Sequence, residues 1–370
     1  MKILVAHVPA GSGHQRAAEA VAAAIRKLAP SAESILLDAT PYSDRLYRWS
    51  FIRGYLTLIQ RAPLLWGLGY YLTDFKPLSR LVQQLHRVSN GLHGKLLESF
   101  FLKTKADCIL CTHFFPMEVA ANLKAQGRIS ARVITVITDY LPHALWIAPG
   151  VDLYVVGSPQ AKENLLSRGI PEERIRLLGI PVDPKFTDPV DRALLAKRFG
   201  LEPDRWTILI GSGGGGTGPV EKLVRLLGKL KVPLQLIVVA GKNNFLFEML
   251  ENIRSRFPHP MKVFGFIDFM NELMGVSDLL ITKPGGLTCA EALVKGLPMI
   301  LIYPIPGQER RNATVLQEMR VALVASCLEE ATDRVQEFFE NPQRFQELGR
   351  RAREASRPDA ATKIARLAIQ

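Results

Sequence analysis

The 370-residue chain carries 47 Lys and Arg against 35 Asp and Glu, a net charge of +12, with 48% hydrophobic and 22% charged residues. This composition is globular, excludes disorder and collagen-like repeats, and at this length suggests two or three domains. The most membrane-like run, 64–72, is far below the ~20 apolar residues that span a bilayer. The apolar start is too short for a secretory signal, and four cysteines make no disulfide framework, so a reducing cytoplasm is the expected setting.

In chain order, 3–7 reads as a buried strand, followed by the turn Gly11-Ser12-Gly13 and a helix over 14–28. A strand is expected at 35–37, and 42–102 reads as mainly helical. Strands at 108–111 and 133–137 flank a helix near 117–126. A strand at 153–156 precedes a helix at 159–168. Turn formers then cluster from Gly179 to Pro184. A second series follows, with strands at 206–210, 234–239, 262–264, 279–281 and 299–302 separated by helical runs, and a helical, charged end over 341–370. Strands alternating with helices imply parallel sheets covered on both faces. The expected architecture is α/β, with two doubly wound Rossmann-like domains facing across a cleft. The expected domains are 1–184 and 185–345, with 346–370 packing back toward the first. Ligands in such folds bind at the carboxyl ends of the strands.

Charge is uneven. Ten basic residues lie between Arg45 and Lys105, opposed only by Asp74 and Glu98, and eleven of the 29 aromatics lie between Tyr42 and Phe101. Basic and aromatic residues in a helical stretch suit an anionic bilayer interface. The alternatives are a core helix pair with a solvated basic face, or nucleic acid, for which no recognised motif is present.

Four glycine-containing turns follow strands. At Pro9-Ala10-Gly11-Ser12-Gly13-His14, backbone N–H groups can face an anion, and a helix N-terminus keeps His14 neutral and able to accept a proton. A capping histidine is the other reading. Residues 211–218 hold six glycines in eight positions, which suits a diphosphate cradle or a hinge. They lack the P-loop Lys and the Rossmann acidic spacing. In Lys283-Pro284-Gly285-Gly286-Leu287-Thr288-Cys289-Ala290-Glu291, Glu291 follows Thr288 at capping-box spacing or accepts from ribose hydroxyls. In Pro306-Gly307-Gln308-Glu309-Arg310-Arg311-Asn312, polar side chains bracket sugar hydroxyls or simply open a helix. Asp139, His143 and Trp146, and also His113, follow other strands. Cys108 and Cys111 sit three apart on a strand, which puts their thiols on opposite faces, and no metal-ligand spacing appears.

These segments together resemble the monogalactosyldiacylglycerol synthase and processive diacylglycerol glucosyltransferase family. Its members are GT-B inverting glycosyltransferases related to the lipid II-forming N-acetylglucosaminyltransferase. The resemblance is sharpest over 265–312 and weakest over 42–105. It implies that Gly213, Gly214, Thr217, Gly286 and Thr288 approach a diphosphate, with Phe266 beside uracil and Glu291 on the ribose. Gln308, Glu309 and Asn312 would bind the hexose. His14 would act as the base or beside it, and Asp139 and His143 would position the acceptor or the base. Trp49, Arg53, Trp66 and Trp146 would meet the acceptor or the membrane. Ser212 and Gly215 depart from the family's glycine loop, which puts an acidic contact in doubt. The implied partners are a UDP-hexose, diacylglycerol or a related lipid, and an anionic membrane surface on the cytoplasmic side, with no nucleic acid, metal or cofactor. The rivals are N-acetylglucosamine transfer to a polyprenyl lipid, a UDP-sugar 2-epimerase of the same fold, and a non-catalytic UDP-sugar sensor.

Overall fold

The computed structural model describes residues 1–9, 11–44, 54, 57, 58, 61–75, 77 and 93–370. They divide into two compact units, one of Met1–Pro184, Ile305–Asn312 and Arg357–Gln370, the other of Lys185–Pro304 and Ala313–Ser356.

The first unit runs β1 (Lys2–His7), α1 (Ser12–Leu28), β2 (Glu33–Asp38), α2 (Pro63–Asp74), α3 (Lys95–Thr104), β3 (Cys108–Cys111), α4 (Phe114–Ala125), β4 (Arg132–Val136), β5 (Leu153–Val156), α5 (Pro159–Ser167) and β6 (Ile175–Leu177). The strands pair in parallel in the order β2-β1-β3-β4-β5-β6. The central strands are buried on both faces, so they read as continuous apolar runs rather than alternating ones. Alternation still sorts their side chains. Cys111 joins the cluster containing Leu4, Ile109 and Val133, while Cys108 joins the one containing Ile3, Val5 and Leu110. The two thiols therefore lie on opposite faces. Burial pushes Cys108 up to about 12 and raises Cys111 well above its ordinary value.

The expected helical end over 341–370 is two helices, Pro342–Ala355 and Ala360–Ile369, with Pro358 between them, where a missing N–H cannot continue a helix. Ala360, Ile364 and Ala365 of the last helix pack with Ala18, Val21 and Ile25 of α1 in the first unit.

The second unit runs α6 (Arg192–Phe199), β7 (Trp206–Gly211), α7 (Val220–Leu227), β8 (Leu234–Val239), α8 (Asn244–Arg254), β9 (Met261–Phe264), α9 (Met270–Val276), β10 (Leu279–Thr282), α10 (Gly286–Lys295), β11 (Met299–Leu301), α11 (Gln308–Glu318, whose first turn belongs to the first unit), β12 (Leu323–Val324), α12 (Leu328–Glu340) and α13 (Pro342–Ala355). Its parallel order is β12-β11-β10-β7-β8-β9. The short edge strands β6 and β12 carry too few residues to show a period, and neither is among the expected strands.

In each sheet the order reverses beside the first strand, between β1 and β3 in one unit and between β7 and β10 in the other. The loops leaving two such strands diverge to opposite faces and open a crevice at their carboxyl ends. The motif residues follow these strands: His14 and His113 in the first unit, the glycine loop and Lys283 to Thr288 in the second.

Candidate active site

In the first unit α1 begins at Ser12, two residues before the expected start, so His14 lies within its first turn. Its Nδ1 is 2.8 Å from the Thr112 carbonyl oxygen and 2.8 Å from Thr138 Oγ1. A carbonyl only accepts, so Nδ1 carries the proton and donates, and Nε2 holds the lone pair. The Thr112 hydroxyl donates back to the His14 carbonyl at 2.8 Å. The His113 ring meets His14 edge-on, with centroids 4.9 Å apart, and stacks on Phe114. Burial lowers His14 to about 4, although part of its surface stays open. Burial also holds His113 well below the ordinary value, and its Nδ1 accepts from Phe115 N at the start of α4. The imidazole at the head of α1 is therefore neutral, with one nitrogen pinned and the other basic.

The loop after β4 is braced elsewhere. Asp139 is half-buried, and desolvation raises its carboxyl above the ordinary value. Its Oδ1 accepts from Asn312 Nδ2 at 3.1 Å, while Asn312 Oδ1 accepts from Tyr140 N at 2.8 Å. Both ends of the fully buried Asn312 amide thus hold this loop. His143 Nδ1 accepts from Leu145 N at 3.2 Å and its Nε2 reaches Tyr70 O at 3.0 Å, so both ring nitrogens are committed within the protein. Burial lowers it to about 4. It secures α2 to the loop and has no nitrogen left for a base. Glu309 Oε2 accepts from Ile305 N at 2.8 Å, closing the turn before α11, and Gln308 opens that helix.

Neither Trp66 nor Trp146, both expected at the acceptor or the membrane, is exposed, although the Trp146 ring lies 6.3 Å from that of His14. Trp146 is 3% exposed and belongs to the core against Phe114. Trp66 lies on the half-buried side of α2. That helix instead exposes Leu64, Leu65, Leu68, Tyr71 and Leu72, with Phe75 just beyond its end. The offsets of 1, 4, 7, 8 and 11 trace a single helical stripe. Trp49 and Arg53 lie outside the described residues.

At its other end α2 is anchored by charge. Buried Asp74 accepts from Ala144 N at 2.7 Å, from Arg168 at 2.9 Å through each oxygen, and from Arg311 at 2.6 Å. Arg311 also faces the Tyr70 and Tyr71 rings, at 5.0 and 5.3 Å. In the sequence Asp74 is one of only two acids in a basic region. That isolation was the available signal, but its arginine partners are 94 and 237 residues away.

In the second unit the glycine loop is tied at both ends. Lys283 Nζ donates to Thr217 Oγ1 at 2.7 Å, and Lys242 N donates to Gly214 O at 3.1 Å. The Lys242 ammonium sits 5.1 Å over the exposed Phe266 ring. Thr217, Gly214 and Phe266 are thereby linked through two lysines. Gly213 and Gly216 have φ of +70° and +61°, and a Cβ on Gly216 would come within 2.1 Å of Ala240 O. Gly286 begins α10 and Thr288 lies in its first turn, so Glu291 is mid-helix and the capping-box reading does not hold. Glu291 is buried. Tyr303, after β11, is a further candidate absent from the sequence reading. Its φ of +46° is strained for a side chain of that size, and its ring is exposed. Among the described residues no group of three or more His, Cys, Asp or Glu is arranged to hold a metal ion.

The family model for monogalactosyldiacylglycerol (MGDG) synthase matches residues 14–182, and that for the glycosyltransferase family 28 C-terminal domain matches 215–364. A processive diacylglycerol beta-glucosyltransferase of Staphylococcus carnosus is 30% identical over 74% of this chain and 71% of its own length. The chain belongs to the monogalactosyldiacylglycerol synthase and processive diacylglycerol glucosyltransferase family. A second family member, the Bacillus licheniformis enzyme of the same name, is 27% identical over 94% of this chain and 88% of its own. Among solved structures, Acinetobacter baumannii MurG superposes with a TM-score of 0.65 at 16% identity, covering 100% of this chain and 99% of that one. The UDP-GlcNAc 2-epimerase of Neisseria meningitidis, bound to UDP-GlcNAc, gives 0.62 at 13%, covering 99% of each chain. At such identities the likeness speaks to the fold, which is GT-B.

Proposed function

We propose that this family member transfers a hexose, glucose or galactose, from a UDP-sugar to the hydroxyl of diacylglycerol, forming a β-glycosyldiacylglycerol. The carrying observation is the state of His14: neutral, pinned through Nδ1, with Nε2 as the available base. The acceptor hydroxyl oxygen forms the new bond to the anomeric carbon as its proton passes to Nε2. The bond from that carbon to the β-phosphate oxygen breaks on the opposite face, and UDP departs. A single displacement converts an α-linked donor to a β-linked product. General-base help of this kind contributes about 10²–10⁴-fold.

The second unit takes the donor. The leaving diphosphate gains charge, and the α10 N-terminus, the glycine-loop N–H groups and Lys283 are the groups suited to meet it. Phe266 offers a face for uracil and Glu291 a carboxylate for ribose. The first unit takes the acceptor, with Asp139 positioning it. Glucose is favoured over galactose because the relatives are named as glucosyltransferases.

The protein binds a membrane peripherally, on its cytoplasmic face. No described helix is long and apolar enough to cross one. The exposed stripe of α2 supplies apolar insertion, on the order of 1 kcal/mol or more per partly buried side chain. The basic residues that the sequence gathers between Arg45 and Lys105 would add about 1 kcal/mol each near an anionic leaflet.

The deciding experiment incubates the protein with UDP-glucose, UDP-galactose and UDP-N-acetylglucosamine over vesicles containing diacylglycerol and a polyprenyl phospholipid, followed by lipid analysis. A hexosyl-diacylglycerol is expected. A polyprenyl product, or an epimerised nucleotide sugar with no lipid product, would replace this reading with a rival.

A further inference from the structure

We propose that Asp74 is a positioning residue for the transfer, coupling the lipid-facing helix to the loop that carries Asp139. The proposal rests on the function just given. The first observation is that α2 has two unlike faces. One is the exposed stripe of Leu64, Leu68 and Leu72; the other ends in buried Asp74. The second is that Asp74 joins three elements distant in sequence. It accepts from Ala144 N beyond the Asp139 loop, from Arg168 at the end of α5, and from Arg311 in the first turn of α11. The third is that the residue after Arg311 is Asn312, whose amide holds both the Asp139 carboxyl and Tyr140 N. A shift of α2 therefore reaches the Asp139 loop by two routes, directly at Ala144 and through Arg311 and Asn312. His143, bonded to Tyr70 O, adds a third tie along the same helix.

Charge makes the connection stiff. Two guanidinium groups converge on one carboxylate where water is scarce, so neither can re-pair with solvent if the helix moves. Packing alone would hold α2 against the unit without fixing its register. A carboxylate with directed partners sets position along the helix axis as well. When the apolar stripe enters a lipid surface, α2 is held from outside, and the Asp74 contacts pass that restraint to the acceptor loop.

The test is Asp74→Asn. It keeps the shape and one acceptor for Ala144 N but removes the anion from both arginines. With diacylglycerol in anionic vesicles, kcat is expected to fall about 10-fold or more, with KM for the UDP-sugar nearly unchanged, as a small misplacement near the reacting groups would produce. Hydrogen exchange supplies a readout free of turnover. Vesicles should slow exchange at Tyr140 and Ala144 in the wild type but leave it unchanged in Asp74→Asn, although the variant still binds the vesicles. A folded Asp74→Asn with wild-type kcat and wild-type vesicle protection overturns the proposal, as does a wild type whose loop ignores vesicles. Should the variant not fold, Arg168→Gln keeps the Asp74–Arg311 pair. It is expected to weaken vesicle protection and lower kcat at unchanged KM, and wild-type behaviour in it overturns the proposal equally. A wild type that protects its loop on vesicles yet transfers no sugar retains the coupling and removes the assigned reaction.

Discussion

His14 donates from Nδ1 to the Thr112 carbonyl oxygen across 2.8 Å, linking the first turn of α1 to the end of β3. This contact decides the tautomer and therefore which nitrogen can accept a proton. His14→Ala is expected to lower turnover about 10²-fold or more, with UDP affinity largely kept, because the groups assigned to the diphosphate lie in the second unit. Unchanged turnover would remove His14 from the mechanism. His143→Gln offers a contrast. It deletes a ring with both nitrogens committed, so it should reduce thermal stability at least as clearly as it reduces kcat.

The same histidines predict a pH dependence. Burial lowers His14 and His143 to about 4, against an ordinary value of 6.5. Below 6.5 the unfolded chain takes up protons that the folded chain refuses. Their stabilising contribution is therefore complete above pH 6.5 and is lost as pH falls toward 4. Between pH 7 and pH 5 the loss is on the order of 1–2 kcal/mol per histidine, with His14 at the lower end because it is partly open. Melting temperature should fall over that interval. The acid limb of kcat/KM should lie well below 6.5, and a limb at 6.5 or above would mean that His14 is solvated in the working enzyme.

Two neighbouring glycines should behave differently. A Cβ on Gly216 would meet Ala240 O at 2.1 Å, at a φ of +61° that L side chains rarely adopt, whereas on Gly215 the nearest atom is Thr217 Cγ2 at 3.8 Å. Gly216→Ala is expected to cost about 1 kcal/mol or more of stability and to weaken UDP binding measured by calorimetry. Gly215→Ala should leave both nearly unchanged. Equal losses in the two would mean that flexibility, not shape, governs the loop.

The exposed stripe of α2 predicts lipid dependence. Leu64→Glu with Leu68→Glu replaces side chains 82% and 58% exposed, so folding should be nearly indifferent. Sedimentation with anionic vesicles should drop, and activity on vesicle-borne diacylglycerol with it. Trp66→Phe should leave vesicle binding intact, because that ring lies on the half-buried side. Loss of binding in Trp66→Phe alone would place the membrane contact elsewhere.

Much of the fold could be read along the chain, because its signals are local. An apolar run broken by glycine and followed by helical periodicity identifies a βα unit whatever lies far away, so the two alternating series, the glycine turns and the candidacy of His14 needed no coordinates. Cys108 and Cys111 were separable because strand alternation is built into the backbone. What the chain could not disclose depends on partners remote in sequence. Thr112 is 98 residues from His14, and Asn312 is 173 from Asp139. Which ring nitrogen is basic, why Asn312 braces a loop, and why His143 has no nitrogen to spare are all settled by such contacts. Trp66 and Trp146 show the same limit. An aromatic residue in a basic or loop segment fits a membrane surface or a core equally well, and only packing chooses. Asp74 looked like a minor offset to a basic region. Folding brought two arginines onto it, and desolvation turned an unremarkable acid into the anchor of the helix.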